Sequence, residues 1–209
     1  MKRIITIICV CILASCQKSK DKKQEYVGPE VVETMKEKEA VLDTVTLLNS
    51  DKWILKNASI DSTSAIGQST IKRVEANQPS YTMIFNIPVM EGSKYRVSVL
   101  AKKGSEKYFG LRLTSKYPNR TDAVFNLETG KVNGSHALGD FENEKATIES
   151  TSDGWYKCTL TTEVFTDRMS IILGSTDNEK LITNWESGTT SLNEVTIKPS
   201  SILLEEISL

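Results

Sequence analysis

The sequence predicts an all-β fold, a two-sheet antiparallel jelly-roll sandwich preceded by a flexible tether and one short helix. Three observations carry this. Beyond Asp51 the apolar residues fall in short runs that alternate with polar ones, the period of a half-buried strand. Gly, Pro, Asn and Asp punctuate the runs, as in Met90-Glu91-Gly92-Ser93 and Glu128-Thr129-Gly130-Lys131, which read as turns. Long helical periodicity is absent from this region, and the strand spacing is too irregular for an up-and-down barrel.

Taken from the start, Lys2 and Arg3 precede the apolar run Ile4 to Leu13, which ends in Leu13-Ala14-Ser15-Cys16. A run of about ten apolar residues is too short to span a bilayer core, which needs roughly 20, and has the form of a secretory h-region. These 16 residues resemble a bacterial lipoprotein signal: residues 1–15 form the signal peptide, and the Cys16 thiol takes the lipid, a diacylglycerol and further acyl (palmitate-type) chains. Each buried methylene adds about 0.8 kcal/mol, so two or three chains anchor where one is marginal.

Residues 16–49 read as the lipidated cysteine, a charged tether and one short helix. The lysines at 18, 20, 22 and 23 make a solvated leash, and Pro29 to Leu42 has helix formers with Pro near its start. Residues 50–209 form the β-sandwich. Its clearest strands are Tyr81 to Ile87, Tyr95 to Ala101 and Phe109 to Leu113, each turning alternate side chains to one core. The others are Ala123 to Leu127, Ala146 to Glu149, Trp155 to Glu163, Met169 to Leu173, Val195 to Ile197 and Ile202 to Leu209.

The stretches Gly92 to Lys102, Val124 to Val132 and Asp153 to Leu160, the last containing Gly154-Trp155-Tyr156, resemble carbohydrate-binding modules of the family 4/9, galactose-binding-like type. The ending Ser201 to Leu209 is similar to the final strand of those modules. The resemblance spans roughly residues 51–209 and implies a jelly roll, sugar binding and a structural calcium held by oxygens from both chain ends. Glu205 and Glu206 stand where Asp is usual in that ion's site. No other cofactor is expected.

Several chemistries are disfavoured. The 26 basic and 27 acidic residues are nearly balanced, and the signal removes two basic ones, so the weakly acidic body offers no basic face for nucleic acid. Of four cysteines, Cys9 and Cys11 leave with the signal and Cys16 is acylated. Cys158 remains alone, without a disulfide, on the inward face of its strand. His136, the single histidine, reads as a solvent-facing loop residue, which leaves no His-based triad and no zinc cluster. Asp140, Glu142 and Glu144 alternate in what reads as a polar loop, and no spacing singles out a glycosidase pair. The chain is therefore expected not to be an enzyme.

Sugar recognition needs a flat apolar face beside planar polar groups. If Phe109, Leu111 and Leu113 point inward, Tyr108 and Arg112 point outward, with Tyr117 and Asn126 close by. Trp185, in the polar stretch Thr183 to Gly188, is either a stacking platform or a lid folded over the sandwich. Trp53 and Trp155 read as core or rim packing. The expected function is that of a membrane-anchored, non-catalytic module that binds glycan at the cell envelope through Trp185, Arg112, Tyr108, Tyr117 and Asn126. The alternative is a structural or protein-interaction module. Gln17 after Cys16 is not an inner-membrane retention signal, which points to the outer membrane, periplasmic or surface-exposed.

Overall fold

The structure, a computed structural model, describes residues 41–46, 53–62 and 67–208. The signal, Cys16 and nearly all of the tether and helix expected before residue 50 lie outside the described residues. Val41 and Leu42, the last residues of the expected helix, instead open a strand.

Fourteen strands occur among the described residues: β1 (Val41–Thr46), β2 (Trp53–Lys56), β3 (Ala58–Asp61), β4 (Ser69–Arg73), β5 (Tyr81–Pro88), β6 (Ser93–Lys103), β7 (Tyr108–Thr114), β8 (Arg120–Asn126), β9 (Lys131–Leu138), β10 (Phe141–Ser150), β11 (Tyr156–Val164), β12 (Arg168–Thr176), β13 (Glu194–Ile197) and β14 (Leu203–Ile207). They form two antiparallel sheets, a sandwich of the jelly-roll kind. In the first, β6 pairs along one edge with β11, which carries β10. Its other edge is shared lengthwise. Residues 94–98 pair with β14, and residues 101–103 with β13. β14 carries β1, and β13 carries β4 and then β3. The second sheet runs β2-β5-β12-β7-β8-β9.

Alternation explains the layering. Val97, Val99 and Ala101 of β6 and Cys158 and Leu160 of β11 meet Phe109, Leu111 and Leu113 of β7, Ile171 and Leu173 of β12, and Phe125 of β8 in one sealed core. Burial pushes the Cys158 thiol well above its ordinary pKa, so it packs as a small apolar group. Trp155 is buried, with Lys198 Nζ 4.6 Å from its ring centre, and Trp53 packs partly buried against the core.

The structure departs from the sequence reading in four places. First, β1 pairs with β14 from Val41 onward, so the first sheet reaches back across the boundary expected at residue 50. Second, β2 and β3 hand the chain from one sheet to the other through Asn57, whose φ of 44° makes the corner. Third, Asn133 to Ala137 and the pair Glu142 and Glu144 lie in strands β9 and β10 and not in loops, and His136 is exposed on β9. Fourth, alternation does not run unbroken through β5. Ile84 and Ile87 both face the core, and between them Phe85 and Asn86 bulge opposite Ser170. A bulge of this kind inserts one residue and turns side chains outward.

Candidate functional site

The outward face of the second sheet carries the residues expected to bind a ligand, and most of it is covered. The segment 177–193 between β12 and β13 lies across it, and Trp185 is its centre, with 0% of its surface exposed. The indole sits on Gly110 and Gly174, which face each other across β7 and β12. A Cβ at Gly110 would overlap the ring, and one at Gly174 would lie 3.0 Å from its Cζ3. Tyr108, Val124 and Ile172 complete this second, smaller apolar cluster.

Polar groups pin the cover. Trp185 Nε1 donates to Asp122 Oδ1 at 3.0 Å, and Arg112 Nε donates to the same oxygen at 2.6 Å. Arg112 Nη2 also donates to the Glu186 carboxylate at 2.9 Å and to the Thr183 carbonyl at 2.8 Å, and its guanidinium lies 5.6 Å from the indole centre. From the other sheet, the buried Arg73 donates to the Glu186 carbonyl at 3.0 Å and to the Gln78 carbonyl. Asn193 accepts from Ser175 at 2.6 Å and donates to Thr189 at 2.9 Å. Burial pushes the Asp122 carboxyl up to about 6, against the pull of Arg112 and Arg120. Burial also works against the Arg112 charge, but Asp122 and Glu186 outweigh it and hold its pKa above the ordinary value.

The lid alternative therefore describes Trp185, and the stacking platform is corrected: its ring faces have no solvent side. Arg112, 6% exposed, is spent on Asp122 and Glu186 and cannot reach a ligand. Tyr108 is equally buried and donates its hydroxyl to Glu179 at 2.6 Å, a bond that, with burial, pushes its pKa up to about 12. Asn126 uses its Oδ1 to accept from the backbone of Glu128 and Thr129, so it shapes a turn. Tyr117 alone stands in solvent, 81% exposed, with Arg120 5.8 Å from its ring centre.

Glu205 and Glu206 are not brought together as a pair of calcium ligands. Neighbours in a strand point to opposite faces, and each carboxylate has its own partners: Arg96 Nε at 2.9 Å from Glu205, and Ser93 Oγ at 2.7 Å and Tyr95 Oη at 3.3 Å from Glu206. Among the described residues, no group of three or more His, Cys, Asp or Glu is placed to hold a metal ion, and no helix is long and apolar enough to cross a membrane.

Two hollows lined by described residues lie near this face. The larger, about 790 Å³, lies at the end of the sandwich between the β6–β7 and β8–β9 turns and the start of the covering segment. Most of its charged groups have partners: Lys103 and Lys107 meet Glu128 at 2.8 and 3.9 Å, Glu179 takes the Tyr108 hydroxyl, and Asp177 accepts from Thr190 and Ser191. The smaller is a groove of about 330 Å³ beyond the cover on the same sheet face. Ser170 and Thr114 lie on its floor side, and Phe85, Asn86, Lys116, Thr166 and Arg168 stand around it. Phe85 is 60% exposed, an unusual position for a phenylalanine ring on a strand. Asn86 holds φ at 63°, and its N–H donates to Ser170 Oγ at 3.1 Å, which fixes the bulge. The sequence signal for this groove was the spacing of Ile84 and Ile87, three apart where alternation requires two or four.

No family model matches the chain, and no curated protein does. Among solved structures, it is similar to a family 4 carbohydrate-binding module at 13% identity and a TM-score of 0.41, over 76% of this chain and 88% of that one. It is similar also to the second N-terminal cellulose-binding domain of β-1,4-glucanase C from Cellulomonas fimi, at 16% and 0.41, over 81% and 100%. A third is a family 6 module from Clostridium stercorarium solved with cellobiose, at 12% and 0.38, over 78% and 92%.

Proposed function

We propose that this chain is a membrane-anchored, non-catalytic lipoprotein whose β-sandwich binds glycan at the cell envelope, in the groove beside Phe85. The anchor rests on the sequence Leu13-Ala14-Ser15-Cys16. The glycan reading rests on one observation: Phe85, following the inward Ile84, turns its ring out of the sheet into solvent, and the bulge sets Asn86 beside it on a groove that Arg168 also lines. A pyranose offers an apolar C–H face to such a ring and hydroxyls to such planar polar groups.

The test is a glycan-array screen of the full chain in detergent, followed by Phe85→Ala. Loss of binding with a melting temperature within a degree or two of the parent supports the groove. If the parent binds no glycan, the reading fails. A protein partner is the second reading, favoured by exposed Met90 and Phe165 on two turns that the Val89 N–H to Asp167 carbonyl bond of 3.0 Å ties together.

A further inference from the structure

The charges around the groove narrow its ligand. Arg168 and Lys116 are both exposed, and among the described residues neither has an ion-pair partner or a side-chain hydrogen bond. No carboxylate lines the groove. The nearest carboxylate that the hydrogen bonds reveal, Asp140, sits behind the wall, where it accepts from Ser115 Oγ at 2.6 Å and from Asn119 Nδ2 at 2.7 Å. In the larger cleft, by comparison, Lys103 and Lys107 lie within salt-bridge distance of Glu128. What sets these two cations apart is their place, together on the rim of one groove that also presents an exposed aromatic ring.

We propose that the groove recognises an acidic sugar, one bearing a carboxylate or sulfate, with Phe85 stacking on the ring and Arg168 and Lys116 holding its negative group. This rests on the glycan reading above and specifies its ligand class. A guanidinium meets a carboxylate or sulfate with two parallel N–H donors, whereas the Lys116 ammonium acts as a mobile point charge. A neutral sugar would leave both cations without a counter-charge and would take from the groove only stacking and the bonds of Asn86.

The test is titration of the full chain in detergent with an oligogalacturonide, a sulfated galactan, a neutral β-glucan and polyphosphate. The acidic glycans are expected to bind and to weaken as salt is raised. Arg168→Gln should lower their affinity by about tenfold or more, as for loss of a charge-assisted hydrogen bond. Lys116→Gln should lower it less, and Lys131→Gln, on a strand away from the groove, should change nothing. If only the neutral glucan binds, with loss in Phe85→Ala and none in Arg168→Gln, the acidic ligand is wrong and the glycan groove stands. Binding of polyphosphate as tight as that of the acidic glycans, equally sensitive to Arg168→Gln, would show that charge alone is read and would overturn the proposal. Absence of any glycan binding would overturn both.

Discussion

The indole Nε1 of Trp185 donates to the carboxylate of Asp122 at 3.0 Å in a layer that solvent does not reach. That bond crosses from the 177–193 segment to the middle of the second sheet. It makes the cover part of the folded body and gives its removal a thermodynamic cost.

Trp185→Ala should therefore destabilise the body by about 3–5 kcal/mol, the range for truncating a large buried aromatic. Gly110→Ala should also destabilise it, because the new methyl would meet the indole. The two effects are expected not to add: with Trp185 already truncated, Gly110→Ala should cost little. Thermal melts of the two single variants and the double variant measure this coupling. Additive losses would show that ring and glycine do not touch.

How much of this was legible in the sequence depends on what each residue borders. Strands β6, β7 and β11 show the alternation of one face on the core, and β12 shows it through Met169, Ile171 and Leu173 although Ile172 is buried on the other face under the cover. Strands β2 and β3 are four residues each and share a corner, too short for a period to show. β9 is a polar edge strand containing Gly134, so it lacks the contrast between faces on which alternation depends. Trp185 lies among Thr, Asn, Glu and Ser, which reads as a solvated loop. Its true surroundings are set by Gly110 and Gly174, each a glycine in the interior of a strand. Such a glycine marks close approach by another group, and this pair was the available signal for the lid.

The Asp122 carboxyl gives the body a pH signature. Its pKa is about 6 in the fold against an ordinary 3.8, so the folded state binds a proton more readily than the unfolded state. Its contribution to stability is full below the ordinary value and is lost as pH rises through about 6. Glu128 and Asp177 act the other way. The Lys103 hydrogen bond holds Glu128 below its ordinary value, and hydrogen bonds from Ser191 and Thr190 hold Asp177 down against partial burial. The comparison that isolates Asp122 is the melting temperature of parent and Asp122→Asn at pH 5 and pH 7. The parent should gain stability relative to Asp122→Asn on going from 7 to 5. A difference independent of pH would show that Asp122 does not titrate in that window.

The pairing of β1 with β14 bears on where the body can be cut. A chain beginning at residue 50 loses the strand that covers one edge of β14 from Leu203 to Ile207. It leaves that row of backbone donors and acceptors open to solvent or to another chain. A chain beginning at residue 38 retains the strand. The shorter body should melt lower and self-associate more at equal concentration, measured by calorimetry and light scattering. Equal melting temperatures would show that β1 adds nothing to the sheet's stability.

The anchor is tested apart from everything the sandwich does. Lipid attachment needs the thiol of Cys16, and a hydroxyl at the same position is not a substitute for that nucleophile. Cys16→Ser should therefore leave the precursor unprocessed, with the Ile4 to Leu13 segment still attached, and unmodified by labelled palmitate. Retained signal and acyl anchor can both hold a chain on membranes, so sedimentation alone does not separate them. Mass does: the parent should run as a shortened, acylated species beginning at Cys16, and Cys16→Ser as the full chain with no added acyl mass. The two or three acyl chains of the parent should resist extraction by high salt, because their affinity comes from buried methylenes and not from charge. If Cys16→Ser is cut after Ser15 and still sediments with membranes in high salt, the attachment lies elsewhere and the lipoprotein reading fails.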